Sequence, residues 1–313
     1  MHNDFYSTLY SLLQKGDVER RTIYSSSSVA LYQNGELKYK EGEGNWDTPD
    51  LVETIKPEPH LVIFGAGHVS KAIAEIAAVL QMKVTVIDER EEVLNRERFT
   101  HNEELILEPY ESFLSKESTF FRPYYIIVTH GHTYDRACLE WCLKSNYTYL
   151  GMIGSKGKVA TTFSLLEKEG VSPETLKSVH APIGLSIGAV TPEEIAISIL
   201  SEIISVFRDN KYSVTLDPLY LERLKNERGI SARIVEKRGS APRAVGSEIF
   251  ISESGKVFGT VGGGRVEKET IDEARKMLEK GEKTKLIHYN LSSKGDLNMI
   301  CGGDVSMLFT AVE

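Results

Sequence analysis

The sequence predicts an α/β protein: a doubly wound parallel sheet with a smaller α+β domain after it. Three observations carry this. Between Pro59 and Phe207 short apolar runs alternate with stretches of helical periodicity, the pattern of strand–helix crossovers and therefore of a parallel sheet. From Asp217 onward, strand-like runs surround one long helical segment, and the turn at Glu253-Ser254-Gly255 is a hairpin signal. Glycines stand where strands hand over to helices, beginning with Gly65-Ala66-Gly67.

The elements follow in order. Residues 1–58 are polar and rich in Tyr and Ser, and the sequence assigns them no secure fold. Pro57 and Pro59 mark a boundary, because proline stiffens a linker and resists entering an element. Strands are predicted at 61–64, 83–87, 105–107, 124–129 and 147–153, and helices at 69–80, 135–144 and 158–169. Thr191 as N-cap with Pro192 after it opens a further helix to Phe207. Beyond, a helix at 220–227 precedes strands at 231–236, 248–251 and 256–261. A helix at 266–280 and strands at 286–289 and 305–310 follow. The expected division is 1–58, 59–213 and 214–313, in keeping with the two or three domains that 313 residues suit.

Bulk properties narrow the function classes. A net charge of −8 argues against non-specific nucleic-acid binding, which needs a basic surface. With neither a membrane-length apolar run nor a signal-peptide core, the expectation is a soluble cytoplasmic protein. Cys138, Cys142 and Cys301 cannot make a disulfide scaffold. Cys138 and Cys142, four apart on a helix, read as small buried side chains, and no ligand spacing marks a metal site.

Gly65 and Gly67 let the backbone turn tightly and approach a pyrophosphate, and the helix opening at His68 and Val69 offers free N–H groups to it. Ser70 stands where the dinucleotide fingerprint has its third glycine. Asp88 ends the second strand 23 residues after Gly65, where an acid holds a ribose hydroxyl and would repel a 2′-phosphate. Strand, turn, amphipathic helix, strand and terminal acid in this order make a Rossmann-type domain with a dinucleotide-like ligand.

Further candidates lie on later loops. His130 and His132 bracket a glycine at the carboxyl end of a strand, placed to contact ligand or move protons; the alternative is a buried histidine with Asp135 as a helix cap. Gly154, Ser155 and Lys156 open a helix as a second anion cradle or as a solvated basic helix start. In the last domain, Ser240 and Arg243 sit on a constrained cationic loop, and Gly263, Gly264 and Arg265 on a glycine-rich turn suited to an oxyanion. Cys301, between strands and followed by two glycines, is a sulfur carrier, a soft ligand or a buried thiol.

These motifs together resemble the XdhC/CoxI family of accessory proteins for xanthine dehydrogenase and related molybdenum hydroxylases. The resemblance spans Pro59 to Glu313. It rests on Gly65-Ala66-Gly67-His68-Val69, Thr129-His130-Gly131-His132 with Asp135, Gly151-Met152-Ile153-Gly154-Ser155 and His180-Ala181-Pro182-Ile183-Gly184-Leu185. Thr191-Pro192-Glu193-Glu194-Ile195-Ala196, Gly239-Ser240-Ala241-Pro242-Arg243, Gly262-Gly263-Gly264-Arg265-Val266-Glu267 and Cys301-Gly302-Gly303 complete it. The order departs from the family's usual one, since here the Rossmann half comes first. Arg265 also stands where many relatives have cysteine, which leaves Cys301 without a cysteine partner.

The resemblance implies a cofactor chaperone that binds molybdopterin or its dinucleotide. It implies assistance in sulfuration by a cysteine desulfurase and insertion into an apo molybdenum hydroxylase. Half-sites on two domains suggest a homodimer. The competing reading is an NAD(P)-linked oxidoreductase, carried by the fingerprint and Asp88, with His130 or His132 as acid–base group.

Overall fold

The computed structural model describes residues 4–26, 28–130, 133–208, 213–215, 220–221, 224, 227–239, 243–291 and 303–312. The chain forms two compact units, one of Met1–Pro57 with Lys211–Glu313 and the other of Glu58–Asn210. The three segments read from the sequence thus become two units, because the outer segments fold together.

In the first outer segment, helix α1 (Asp4–Leu13) buries Tyr6, Leu9, Leu12 and Leu13. Strands β1 (Val18–Ile23), β2 (Ser28–Gln33), β3 (Glu36–Glu41) and β4 (Leu51–Lys56) follow. The β2–β3 hairpin turns on Asn34 and Gly35, whose φ values of 54° and 79° suit a two-residue turn that matches strand twist. Along β1 the inward positions are Val18, Arg20 and Thr22. An inward Arg and Thr hide the apolar alternation that announces a half-buried strand, which is why no secure fold could be read for this segment.

The second unit contains β5 (His60–Phe64), α2 (His68–Val79), β6 (Lys83–Asp88), β7 (Glu104–Leu107), α3 (Tyr110–Leu114), β8 (Tyr124–Ile127), α4 (Thr133–Leu143), β9 (Tyr149–Met152), α5 (Lys156–Lys168), α6 (Pro173–Lys177) and α7 (Pro192–Phe207). Its five strands run parallel in the order β7-β6-β5-β8-β9. The predicted Rossmann-type sheet is therefore present. Along β5, Leu61 and Ile63 enter the core shared with α2 and α7, and Val62 and Phe64 the opposite one under α4 and α5. Thr191 and Glu194 form a reciprocal capping box at the start of α7, with Pro192 in the first turn. Cys138 and Cys142 lie in the α4 core, where burial pushes both thiols up.

Strand order reverses between β5 and β8. One crossover leaves toward β6 and the other toward β8, which opens a crevice at the carboxyl ends between them, the place where ligands of such sheets bind.

The chain then returns to the first unit. Strand β10 (Ser213–Thr215) joins the edge of the N-terminal sheet, giving the order β10-β4-β1-β2-β3. Strands β11 (Gly229–Arg238), β12 (Glu248–Ser252), β13 (Val257–Gly259), β14 (Thr284–Asn290) and β15 (Asp304–Val312) make a second sheet, ordered β13-β12-β11-β15-β14. Helix α8 (Gly264–Lys280) packs on it through Val266, Thr270, Ala274 and Met277. Four strands of each sheet share one arrangement: an antiparallel meander whose first strand also pairs antiparallel with the last. Residues of both outer segments, among them Leu9, Leu31, Ile55, Leu221 and Phe250, form one apolar core.

A buried square of charge ties the two segments. Arg20 Nε lies 3.0 Å from Glu53 and its Nη1 3.4 Å from Glu248, while Arg233 Nη1 lies 3.6 Å from Glu53. Glu248 also accepts from Tyr6 Oη at 2.5 Å and Ser231 Oγ at 2.8 Å. Burial alone would raise the Glu248 carboxyl, but Arg20 and Arg233 outweigh it and hold it below the usual range.

Candidate functional site

The glycine turn assigns different work to its residues. Gly65 is buried with φ +108°, and its N–H donates to Ile87 O at 2.8 Å. A Cβ here would stand 2.8 Å from the Val128 carbonyl carbon and 2.9 Å from Thr129 Cα. Gly65 is thus required by the close passage of β8. Buried Ser70 donates its hydroxyl to Gly65 O at 2.5 Å, closing the turn as a third glycine would not. Gly67, the N-cap of α2, is different: it has no side-chain cap, and a Cβ on it would meet nothing within 4 Å. His68 is exposed, and Val69 packs against the core. The Gly67 end of α2 is therefore uncapped and uncrowded, and the free N–H groups of a helix start suit phosphate at such a place.

Asp88 is fully buried at the end of β6, beside this turn. Its Oδ2 accepts from Ala66 N–H at 2.7 Å and Arg90 Nη2 at 2.8 Å; its Oδ1 accepts from Arg90 Nε at 2.9 Å and Arg90 N–H at 3.1 Å. Burial raises this carboxyl, and the Arg90 and Ala66 hydrogen bonds more than reverse that. Arg98 donates to Ala66 O at 3.4 Å, and its buried Nε has no partner among the described residues.

Past β8, Thr129 donates its hydroxyl to Asp135, and Lys158 pairs with the same carboxylate. Asp135 does more than cap a helix: it ties the β8 loop to α5. His130 is exposed there, while His132 lies outside the described residues. Ser155 caps α5 by accepting from Lys158 N–H at 3.3 Å, and the Lys158 stem packs 3.1 Å from where a Gly154 Cβ would be. Of the proposed cradle, then, Ser155 serves its own helix and Lys156 stays exposed. His180 Nδ1 stands 3.3 Å from Glu202, whose carboxylate also accepts from Tyr149 Oη at 2.5 Å and Gly184 N–H at 3.0 Å.

In the other unit, Gly262, Gly263 and Gly264 all have positive φ. Their turn already holds an anion. The Glu267 carboxylate accepts from Val261 N–H at 3.2 Å, Gly263 N–H at 3.1 Å and Thr260 Oγ1 at 2.5 Å. Burial raises Glu267, and these donors pull it below the usual range. Arg265 is 3.7 Å from Glu269 on the exposed face of α8, and Arg243 is exposed. Ser240 and Cys301 lie outside the described residues. Among the described residues no three His, Cys, Asp or Glu side chains are grouped to hold a metal, and no helix is long and apolar enough to cross a membrane.

Residues 61–203 match the XdhC Rossmann domain, and residues 223–290 match the XdhC and CoxI family. The chain belongs to the XdhC/CoxI family. It is 39% identical over 149 residues to the uncharacterized protein YqeB of Escherichia coli K12, across 47% of this chain and 27% of that one. It is 31% identical over 154 residues to a probable subunit of xanthine dehydrogenase from Bacillus subtilis 168, across 49% of this chain and 44% of that one. The chain thus spans less than half the length of either curated relative. A crystal structure of a xanthine dehydrogenase from Bacillus halodurans superposes with a TM-score of 0.54 at 24% identity, covering 65% of this chain and 63% of that one, a likeness of fold.

Three residues of the sites were missed in the sequence, and the part played by Glu267, at the end of the glycine-rich motif, was not read. Arg90 had a signal, two positions after a strand-terminal acid, and Glu267 had one, within the first turn after a glycine run. Arg98 and Glu202 had none, since only the fold brings them to Ala66 and to Tyr149.

Proposed function

We propose that this chain is an accessory protein of xanthine dehydrogenase-type molybdenum hydroxylases that holds a molybdopterin nucleotide by its pyrophosphate at the Gly67 end of α2. The observation that carries the reading is the open, uncapped helix N-terminus at the reversal of strand order. Gly65 and Ser70 fix the turn, Gly67 admits the phosphates, and the first N–H groups of α2 bind them. The bound cofactor would supply the redox centre of the hydroxylase that receives it. Membership in the family, and a relative named as a probable xanthine dehydrogenase component, support an accessory role. In this reading Cys301 carries sulfur from a cysteine desulfurase, and the chain acts as a homodimer in the cytoplasm.

The test is mass spectrometry of the ligand released from protein made in a host that synthesises molybdenum cofactor. Wild type should release a pterin nucleotide and Gly67→Asp none, because the carboxylate would project into the phosphate space. Equal pterin in both would refute the placement. The Rossmann strand order also supports an NAD(P)-linked oxidoreductase; recovery of NAD(P) with substrate-dependent reduction, and no pterin, would establish that reading instead.

A further inference from the structure

We infer that Arg90 and Arg98 form a second phosphate subsite beside the glycine turn, one that favours a nucleotide with a 2′-phosphate on its ribose. The inference rests on the reading of that turn as a pyrophosphate site and, because the nucleotide half of a molybdopterin dinucleotide has a free ribose diol, it bears on the NAD(P) reading of that site rather than on the pterin one.

It begins with what Asp88 can no longer do. A carboxylate has about four lone-pair positions. All four are taken, by Ala66 N–H, Arg90 N–H, Arg90 Nε and Arg90 Nη2, at 2.7 to 3.1 Å. A ribose diol donates hydrogen bonds and needs an acceptor, and this acid has none to spare. The expectation that Asp88 holds a ribose hydroxyl gives way to another role: it orients a guanidinium.

What faces the ligand is therefore a donor. The Arg90 side chain is 28% exposed, and its Nη1 takes no part in the pair with Asp88. Arg98 reaches the same turn from the other side of Ala66, at the carbonyl oxygen, and carries the unpartnered buried Nε. Two guanidinium groups against one carboxylate leave a net positive charge within one hydrogen bond of the turn. In this fold an arginine close to the end of the second strand accommodates a 2′-phosphate, and guanidinium recognises phosphate with directed, charge-assisted bonds. Glu89, Glu91 and Glu92 adjoin Arg90 in sequence, but all three are exposed, where water and salt weaken their field.

Calorimetric titration of the full chain with 5′-ADP and 2′,5′-ADP tests this. Wild type should bind 2′,5′-ADP about tenfold or more tightly, the worth of one charge-assisted hydrogen bond. Arg98→Gln, which leaves the Asp88–Arg90 pair intact, should bring the ratio below about threefold, and so should Arg90→Gln, whereas Arg90→Lys should retain part of the preference. Should Arg90→Gln fail to fold, Arg98→Gln decides. Equal wild-type affinities, with 5′-ADP binding lost in Gly67→Asp, would overturn the subsite and leave the pyrophosphate site standing. A preference that survives Arg98→Gln and Arg90→Gln would also overturn it. Failure of both nucleotides to bind wild type would overturn the two readings together.

Discussion

Replacing Gly65 by alanine should cost the Rossmann unit far more than replacing Gly67, although the two glycines sit in one turn. At Gly65 the backbone has φ +108°, and the new Cβ would meet the main chain of Val128 and Thr129 inside 3.0 Å. Forcing an L-residue into that conformation costs about 1–3 kcal/mol. Overpacking against backbone that cannot rotate away adds about 1–3 kcal/mol. Together they reach about 2–6 kcal/mol, a large share of the stability of a domain, and about 5–20 °C in Tm for a unit of this size. At Gly67, with φ −71° and no neighbour within 4 Å, alanine meets no clash and should cost about 1 kcal/mol or less, the difference between glycine and alanine as N-cap. The assay is urea unfolding followed by Trp141, which is 8% exposed and packs its ring 5.4 Å from Phe113 and 5.8 Å from Phe64. Trp46, the second of the chain's two tryptophans, belongs to the other unit and is removed as Trp46→Phe. Equal losses for the two alanine variants, or none at Gly65, would refute the argument.

Arg20→Ala should destabilise the first unit by about 3–5 kcal/mol by leaving buried Glu53 and Glu248 short of a cation, whereas joint replacement of Arg20, Glu53, Arg233 and Glu248 by apolar residues should be far milder; denaturation midpoints compare them. Glu267→Ala should cost about 1–3 kcal/mol, because it strips acceptors from the N–H groups of Val261 and Gly263, and amide exchange at those positions should accelerate. His60 gives a pH dependence. Burial, aided by Lys83, lowers its pKa from 6.5 to about 4, so neutral His60 favours the fold above about pH 6.5 and that contribution is lost as pH falls towards 4. Full burial would make this about 3 kcal/mol, and the partly exposed ring reduces it to about 1–2 kcal/mol. His60→Asn should flatten the slope of stability between pH 6.5 and 4, and an unchanged slope would assign it to other groups.

The Rossmann unit was legible because its information is local. Strands β5, β6 and β8 are built around short apolar or β-branched runs, α2 repeats with helical period, and Thr191-Pro192 announces α7 by its capping chemistry alone. Asp88 shows where such reading stops. Its place at the end of β6 was evident, but its occupation by Arg90 depends on side-chain geometry that spacing does not encode. Glu267 shows the same limit, since three glycines before a helix describe an anion site whether the anion is a ligand or the chain's own carboxylate. The N-terminal sheet was hidden for another reason: Arg20 points inward, and only its pairing with Glu53 and Glu248, the latter 228 positions away, makes that tolerable.

That separation has a temporal meaning. Tyr6 and Glu248 bond across 242 positions, with the whole Rossmann unit lying between their two segments in the chain. A growing chain exposes α1 and β1–β4 first, and they wait through on the order of ten seconds or more of synthesis before their partners emerge. The Rossmann unit is uninterrupted and can fold meanwhile. Assembly of this protein is thus ordered by topology: the inserted unit matures first, and the charges of Arg20 and Glu53 stay hydrated until the last strands arrive.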